Sequence, residues 1–223
     1  MEPGNQETNQ QEHGQQDSLE ARSAKKHLQL TCIGLTKSYK NTLVFHQLNL
    51  VFGARNNLLV GKNGSGKSTL LRVIASLEQA NSGSLNWTSK QAPRVALASE
   101  SVLPPNVFTA NEIFDLLLRY QNIDEQKQGE LIAALGFEAF LNRRIDELSS
   151  GSLKKLLLIG AIAQQSDVLL LDEPFANLDD QSKSVIKKVV SEDSRFKIIV
   201  DHQQLLEGLQ VVHLDANNAS SPS

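Results

Sequence analysis

The feature that most constrains this chain of 223 residues is a glycine-rich segment between a short apolar run and a helical pattern. The segment fits G-x-x-x-x-G-K-[ST], follows NNLLV and opens the amphipathic run GKSTLLRVIASLEQ. In this strand-to-helix context, backbone N–H groups and the helix N-terminus form a cradle for phosphate. Lys67 is predicted to reach the β- and γ-phosphates, and Ser68 to bind Mg²⁺. The predicted nucleotide site consists of Gly61, Lys62, Asn63, Gly64, Ser65, Gly66, Lys67, Ser68 and Thr69.

A second polar site follows an apolar run much later in the chain. The stretch DVLLLDEP predicts a buried strand that ends at Asp172 and Glu173. Ligands of α/β sheets bind at the carboxyl ends of the strands, so Asp172 is predicted to hold Mg²⁺ through water. Glu173 is predicted to polarise the attacking water as a general base. The alternative is that these acidic residues only form a turn at the strand end. The nearby phosphate loop makes this alternative the weaker interpretation.

The overall pattern predicts an α/β protein with a core of mainly parallel strands. The first strand-like runs, LQLTCIG and LVFHQLNLVF, indicate an antiparallel β-subdomain, and later buried strands alternate with helices. Helical patterns predict an inserted helical subdomain at about residues 101–148, with Thr109 and Glu112 at capping-box spacing. We expect one domain over residues 26–216, with disordered polar tails at residues 1–25 and 217–223.

Composition narrows the possible partners and compartments. The net charge of −3 gives no general attraction to nucleic acid, so no nucleic-acid partner is predicted. The single cysteine, Cys32, cannot form an internal disulfide, which is typical of a reducing, cytoplasmic compartment. The apolar runs are shorter than the roughly 20 residues of a membrane span. A role at a membrane would therefore require a partner.

With its motifs in this order, the chain resembles the nucleotide-binding subunits of ATP-binding-cassette (ABC) proteins, over roughly Lys26 to Asp215. The resemblance places Tyr39 where the family has an aromatic that stacks on adenine. The segment from Leu148 to Ser152, LSSGS, lies where the family has its signature Leu-Ser-Gly-Gly-Gln. Asp179, in ANLD, matches the loop through which two subunits communicate, and His202 matches a histidine that contacts the γ-phosphate.

The signature departs from the family pattern. Ser149 and Gly151 are retained, and the resemblance implies that they grip the γ-phosphate of ATP bound to the opposite subunit. Ser150 and Ser152 replace a glycine and a glutamine of the family pattern. We expect the Cβ of Ser150 to restrict φ at that residue. We also expect the Ser152 side chain to lack the longer reach of glutamine. The alternative is an ordinary serine N-cap at a helix start.

A further departure concerns the loop before the helical subdomain. Glu100 falls at or near the position of a family glutamine that touches Mg²⁺ and the attacking water. A carboxylate adds negative charge beside the γ-phosphate, and we expect this charge to be offset only if Glu100 binds the metal. Glu100 is therefore a candidate Mg²⁺ ligand, and the alternative is that it points to solvent. Lys154 and Lys155, after the signature, are predicted to lie on a solvated helix face.

The resemblance implies an ATPase that uses ATP and Mg²⁺, with Glu173 and His202 as catalytic residues. It also implies pairing with a second ABC subunit, identical or homologous. Such a pair would drive a separate integral membrane permease from the inner face of the cell membrane. Two alternatives stay open, a soluble single-cassette ATPase in protein or metal-cluster assembly and a regulatory subunit with low turnover. The short helical region and SGSLNW also resemble the haem-exporter branch.

Overall fold

The computed structural model describes residues 28–40 and 42–214, so both predicted tails lie outside the described residues. The strands are β1 (Leu30–Tyr39), β2 (Thr42–Phe52), β3 (Asn56–Val60), β4 (Ser82–Trp87), β5 (Val95–Ala98), β6 (Val168–Asp172), β7 (Phe196–Val200) and β8 (Gln210–His213). The helices are α1 (Lys67–Ile74), α2 (Ala110–Tyr120), α3 (Glu125–Ala134), α4 (Ser150–Ala163) and α5 (Asp180–Glu192). Single turns of 3₁₀-helix lie at Glu138–Phe140 and Ile145–Glu147.

The first part of the chain forms the predicted antiparallel subdomain. Strands β2, β1 and β4 form a three-stranded sheet in that order, and both pairs are antiparallel. One face of β1 and β2 is apolar and buried, with Cys32 and Leu35 from β1 beside Phe45 and Leu48 from β2. This face packs in the same cluster as α1, and Val44 of β2 lies next to Gly66 at the start of that helix.

The second sheet is parallel, with strand order β5-β6-β7-β3-β8. Every residue of β6 and β7 is buried, because apolar layers cover both faces of the sheet. Leu169 and Leu171 pack in the cluster that contains α2, α4 and α5, whereas Val168 and Leu170 pack in the cluster that contains α1 and the antiparallel sheet. The predicted α/β core is confirmed.

The segment between β5 and α4 is helical, as the sequence pattern predicts. The Thr109 hydroxyl caps α2 by accepting from the Glu112 N–H, and the Glu112 carboxylate accepts from the Thr109 N–H. Phe114 and Phe137 pack edge to face, with ring centroids 5.9 Å apart, and anchor this segment on α4. Among the described residues, no helix is long and apolar enough to cross a membrane.

The register of the parallel sheet brings the polar strand ends together. Ala98 of β5 is paired with Leu171 of β6, and Asp172 is paired with Val200 of β7. The residues that follow these positions therefore emerge side by side at the carboxyl edge of the sheet. The phosphate loop emerges at the same edge, after β3, which is paired with β7.

Candidate active site

The phosphate loop connects β3 to α1, and its last glycine is required by two features. Gly66 has φ +95°, and a Cβ there would lie 2.5 Å from Cγ1 of Val44. Lys67 is buried, and its Nζ donates to the carbonyl oxygens of Gly61 at 2.9 Å and Lys62 at 3.1 Å. The Ser65 hydroxyl is buried and has no hydrogen-bond partner among the described residues. An unsatisfied donor in a loop of this geometry fits an anionic ligand.

A cleft of about 510 Å³ lies beside this loop, within the range typical of ligand sites. The lining residues are Val44, Asn63, Gly64, Gly66, Lys67, Ser68, Thr69, Glu173 and His202. The structure thus brings two predicted catalytic residues, Glu173 and His202, to the predicted phosphate site. The signature residues Ser149 and Gly151 do not line this cleft within the described chain.

Glu173 is held at an unusual backbone angle at the end of β6. Its φ is +50°, a region that non-glycine residues rarely adopt, and its N–H donates to the carbonyl of Val200 at 2.8 Å. The carboxylate Oε1 lies 3.3 Å from Nε2 of His202, and both side chains are half exposed. Backbone strain of this kind clusters at functional sites, which favours a role for Glu173 beyond that of a turn residue.

The turn that carries His202 is organised by Asp201, which sequence reasoning missed. Asp201 is buried, and its carboxylate accepts hydrogen bonds from the backbone N–H groups of Gln203 and Leu205, each at 2.9 Å. Its signal in the sequence is an acidic residue directly after the buried run FKIIV. The carboxylate satisfies the backbone donors of the turn and thereby fixes the start of the segment that bears the imidazole.

Asp172 is fixed by a second residue that the sequence did not reveal. Its Oδ2 accepts a hydrogen bond of 2.7 Å from the hydroxyl of Ser99, which is itself buried. Ser99 follows β5, the neighbour of β6, so only the strand order places the two side chains together. The Ser99 Oγ also lies 2.7 Å from the Ser101 Oγ, which extends the network into the loop after β5.

The expectation that Lys154 and Lys155 form a solvated face is wrong. Lys154 is only 3% exposed, and its Nζ lies 2.9 Å from Oε1 of Glu100 and donates to the carbonyl of Asp172 at 3.2 Å. Lys155 is mostly covered, with its Nζ 3.1 Å from Oδ2 of Asp179. Each ammonium group also donates to a main-chain carbonyl, that of Asp172 for Lys154 and that of Leu135 for Lys155, so both lysines are held within the protein.

The expected metal role can be tested against the side chains that surround the cleft. A smaller cleft next to the phosphate loop is lined in part by Ser68, Glu100, Asp172 and Glu173. Among the described residues, no three His, Cys, Asp or Glu side chains form a metal-binding group. Mg²⁺ commonly uses one or two protein ligands together with substrate phosphates, and the Ser68 hydroxyl with Asp172 fits that pattern. The metal role of Glu100 stays a prediction.

The LSSGS segment forms the start of α4. Ser149 is the N-cap, and its hydroxyl accepts from the Ser152 N–H at 3.1 Å and lies 2.9 Å from the Ser152 hydroxyl. Ser150 is the first helical residue and has no positive φ, so the expected cost of its Cβ does not arise. The two serines that depart from the family pattern are thus compatible with a regular helix N-terminus.

The start of α4 packs tightly on the loop that follows Glu173. A Cβ at Gly151 would lie 2.6 Å from the carbonyl oxygen of Asn177. Asp179 in the same loop caps α5 by accepting from the Ser182 N–H at 2.8 Å. Hydrogen bonds from the backbone and hydroxyl of Ser182 and from Lys155 hold the pKa of the Asp179 carboxyl well below its usual range. The signature segment and the predicted communication loop are therefore closely packed against each other.

Tyr39 lies at the end of β1, outside the residues that line the phosphate cleft. Its hydroxyl donates to Glu78 and accepts from Nη2 of Arg72 at 3.0 Å. Arg72 also donates to the Thr69 hydroxyl at 3.2 Å, which connects Tyr39 to the phosphate loop. The Lys37 ammonium lies 4.8 Å from the ring centroid. The stacking of adenine on Tyr39 stays a prediction.

Comparison with known proteins identifies the family. Residues 46–176, more than half of the chain, match the family described as ABC transporter. The chain is 31% identical to an aliphatic sulfonates import ATP-binding protein of Rhodococcus jostii, over 78% of this chain and 72% of that protein. It is 30% identical to a thiamine import ATP-binding protein of Haemophilus ducreyi, over 77% of this chain and 87% of that protein.

These relatives decide between the functions that the sequence left open. Both are named as transport subunits, so they favour the transporter over soluble assembly, and they give no support to the haem-exporter likeness. A structure described as that of a cobalt transport ATP-binding protein is similar to this chain, with a TM-score of 0.72 at 24% identity over 83% of this chain and 76% of that one. A dimeric bacterial ABC transporter cassette is also similar, with a TM-score of 0.69 at 20% identity over 84% of this chain and 94% of that one. The chain therefore belongs to the ABC transporter family, as an ATP-binding and ATP-hydrolysing subunit.

Proposed function

We propose that two such subunits close on Mg-ATP, and that hydrolysis opposite Glu173 reopens the pair and drives a separate membrane permease. One observation carries this proposal. The cleft holds the phosphate loop with Glu173 and His202, whereas Ser149 and Gly151 lie elsewhere in the same chain. A second chain that presents its own signature would complete the site. The similarity to a dimeric cassette supports this arrangement.

Within each site, the residues would act as follows. Backbone N–H groups of the loop and Lys67 would bind the phosphates, while Ser68 and Asp172 would hold Mg²⁺. The metal, when bound, neutralises charge on the phosphate oxygens. Glu173 would accept a proton from the attacking water, and His202 would donate a hydrogen bond to the γ-phosphate and orient the Glu173 carboxylate. Tyr39 would contact the adenine.

Hydrolysis would be linked to the partner subunit through the loop after Glu173. This loop contacts Gly151 through Asn177, and its Asp179 pairs with Lys155 of the signature helix. A change at Glu173 would therefore shift the surface that faces the second chain. This link also gives a reason for the close contact between Gly151 and Asn177, which lies away from the phosphate cleft.

A membrane partner is supported by exposed apolar residues in the loop after β5. Val102, Leu103 and Val107 are 38%, 49% and 70% exposed within one short segment. Such a patch is typical of an interaction surface, and we place the permease there. The subunit would then lie peripherally on the inner face of the cell membrane. The import functions named for the relatives favour import, and their differing substrates indicate that the permease selects the substrate.

Two experiments test this proposal. The Glu173→Gln variant should form a dimer, measured by light scattering, at saturating Mg-ATP and not with ADP. Finding only monomer, alone and mixed with any cassette that copurifies, would contradict the pairing. Tagged protein purified from detergent-solubilised native membranes should carry a stoichiometric multi-span protein. Recovery of soluble partners alone would contradict the permease, and the variant Val107→Glu should reduce the yield of the membrane protein.

A further inference from the structure

Lys154 places a buried positive charge at the edge of the hydrolysis site. Its Nζ contacts Oε1 of Glu100 at 2.9 Å and the main-chain carbonyl of Asp172 at 3.2 Å. A buried ammonium group is costly unless it is paired and hydrogen-bonded. The two contacts therefore tie the loop after β5 to the end of β6. Both of these segments carry residues that line the cleft beside the phosphate loop.

The positive charge of Lys154 lies beside three carboxylates. Glu100, Asp172 and Glu173 line the same small cleft as Lys154 and Ser68. Without a cation, three carboxylates would repel one another and the phosphates of a bound nucleotide. From the sequence alone, only a bound metal is expected to offset the negative charge of Glu100. In the structure, the Lys154 ammonium group offsets the charge of Glu100 without a metal.

The pair leaves part of Glu100 accessible. The Glu100 side chain is 40% exposed, whereas that of Lys154 is 4% exposed. No donor in the described parts of the chain bonds the second carboxylate oxygen, Oε2. Lys154 thus fixes one oxygen of Glu100 and leaves the other available to water. Glu100 is consequently held in one place without being withdrawn from the cleft.

We infer that Lys154 is a positioning residue of the ATPase site, which acts through Glu100 to set the net charge beside the phosphate loop. This inference rests on the proposed ATP site. The two side chains work as a matched pair: loss of Lys154 makes the site too negative for nucleotide phosphates, and loss of Glu100 makes it too positive for Mg²⁺. Loss of both charges restores the balance.

The test is a double-mutant cycle with Glu100→Gln, Lys154→Gln and the double variant. The dissociation constant of a fluorescent ATP analogue is measured in EDTA, followed by the Mg²⁺ concentration that half-saturates binding. One unit of charge at this range corresponds to roughly tenfold in affinity. Lys154→Gln should weaken metal-free binding about tenfold, and Glu100→Gln should strengthen it about tenfold and raise the half-saturating Mg²⁺. The double variant should stay within about twofold of wild type.

Controls separate electrostatics from loosening of the fold. Lys188→Gln removes an exposed lysine on α5 and should leave both binding measurements unchanged. The inference is overturned if both single variants weaken metal-free binding of the analogue. It is also overturned if the double variant loses as much affinity as the two single variants together. Should Lys154→Gln fail to fold, Glu100→Gln decides by the direction of its shift. If wild type does not bind the analogue, or Lys67→Ala binds it equally well, the ATP site itself is overturned.

Discussion

The Nε2 atom of His202 lies 3.3 Å from the Oε1 atom of Glu173, across the ends of the neighbouring strands β7 and β6. The contact joins two residues that are far apart in the chain and both line the phosphate cleft. It places a ring nitrogen beside the carboxylate that is expected to accept the proton of water. The imidazole is thus close enough to Glu173 to orient its carboxylate, and its contact with the γ-phosphate is part of the proposed function.

We predict that His202→Ala lowers the ATPase rate on the order of 100-fold, because it removes the hydrogen-bond donor proposed for the γ-phosphate in the transition state. Both side chains are half exposed, so the free energy of unfolding should change by about 0.5 kcal/mol or less. Phosphate release and urea unfolding measure the two effects. His213→Ala removes an exposed histidine on β8 and serves as the control. Equal rates in the two variants would contradict the role of His202.

We predict that Gly151→Ala destabilises the protein by about 1–3 kcal/mol, because its Cβ would lie 2.6 Å from the Asn177 oxygen. The matched control is Gly129→Ala in α3, where a Cβ meets nothing within 4 Å. That change should stabilise the protein by about 0.5–1 kcal/mol, since alanine favours the helix. Urea unfolding compares the two. A Gly151→Ala variant as stable as Gly129→Ala would show that the loop contact is loose.

Acid should weaken the cluster that holds Tyr39. Burial raises the pKa of the Glu78 carboxyl, but hydrogen bonds from Tyr39, Arg72 and Lys37 outweigh it and lower the pKa from 4.5 to about 2. Because the folded state binds the proton less readily, this contribution to stability is fully present above about pH 4.5 and is lost as the pH falls to about 2. We predict that Glu78→Gln lowers the free energy of unfolding by about 1 kcal/mol at pH 7.

The measurement is the urea unfolding midpoint of wild type and Glu78→Gln between pH 7 and pH 2. The difference between the two proteins should stay constant down to about pH 4.5 and narrow below it. Glu138→Gln, at an exposed site in a 3₁₀ turn, provides a control without this cluster. A difference that is independent of pH would contradict the assignment of the cluster to the ionised carboxylate.

The parts of the site that could be predicted from sequence are those with a local pattern. The glycine spacing before Lys67 and the apolar run before Asp172 each specify a strand, a turn and a polar group within a few residues. Their meeting at one edge of the sheet follows from the general rule for parallel sheets. The capping box of Thr109 and Glu112 is equally local, and it was confirmed for the same reason.

The parts that could not be predicted depend on contacts between distant segments. Ser99 bonds Asp172 only because β5 and β6 are neighbours, an order that the sequence does not display. Sequence predicts Lys154 on a solvated face because charged residues on helices are usually exposed. Its true partner, Glu100, lies on a loop beyond the helical segment, and no periodicity reveals that pairing.

The most direct test of the account is the rate of phosphate release from Mg-ATP by wild type and Glu173→Gln, with ATP binding measured on the same samples. Loss of a general base costs about 10² to 10⁴ in rate. The account predicts that wild type hydrolyses ATP and that Glu173→Gln binds ATP as tightly but hydrolyses it at least about 100-fold more slowly. Equal rates in the two proteins at equal ATP occupancy would contradict the role of Glu173 and the hydrolytic cycle built on it.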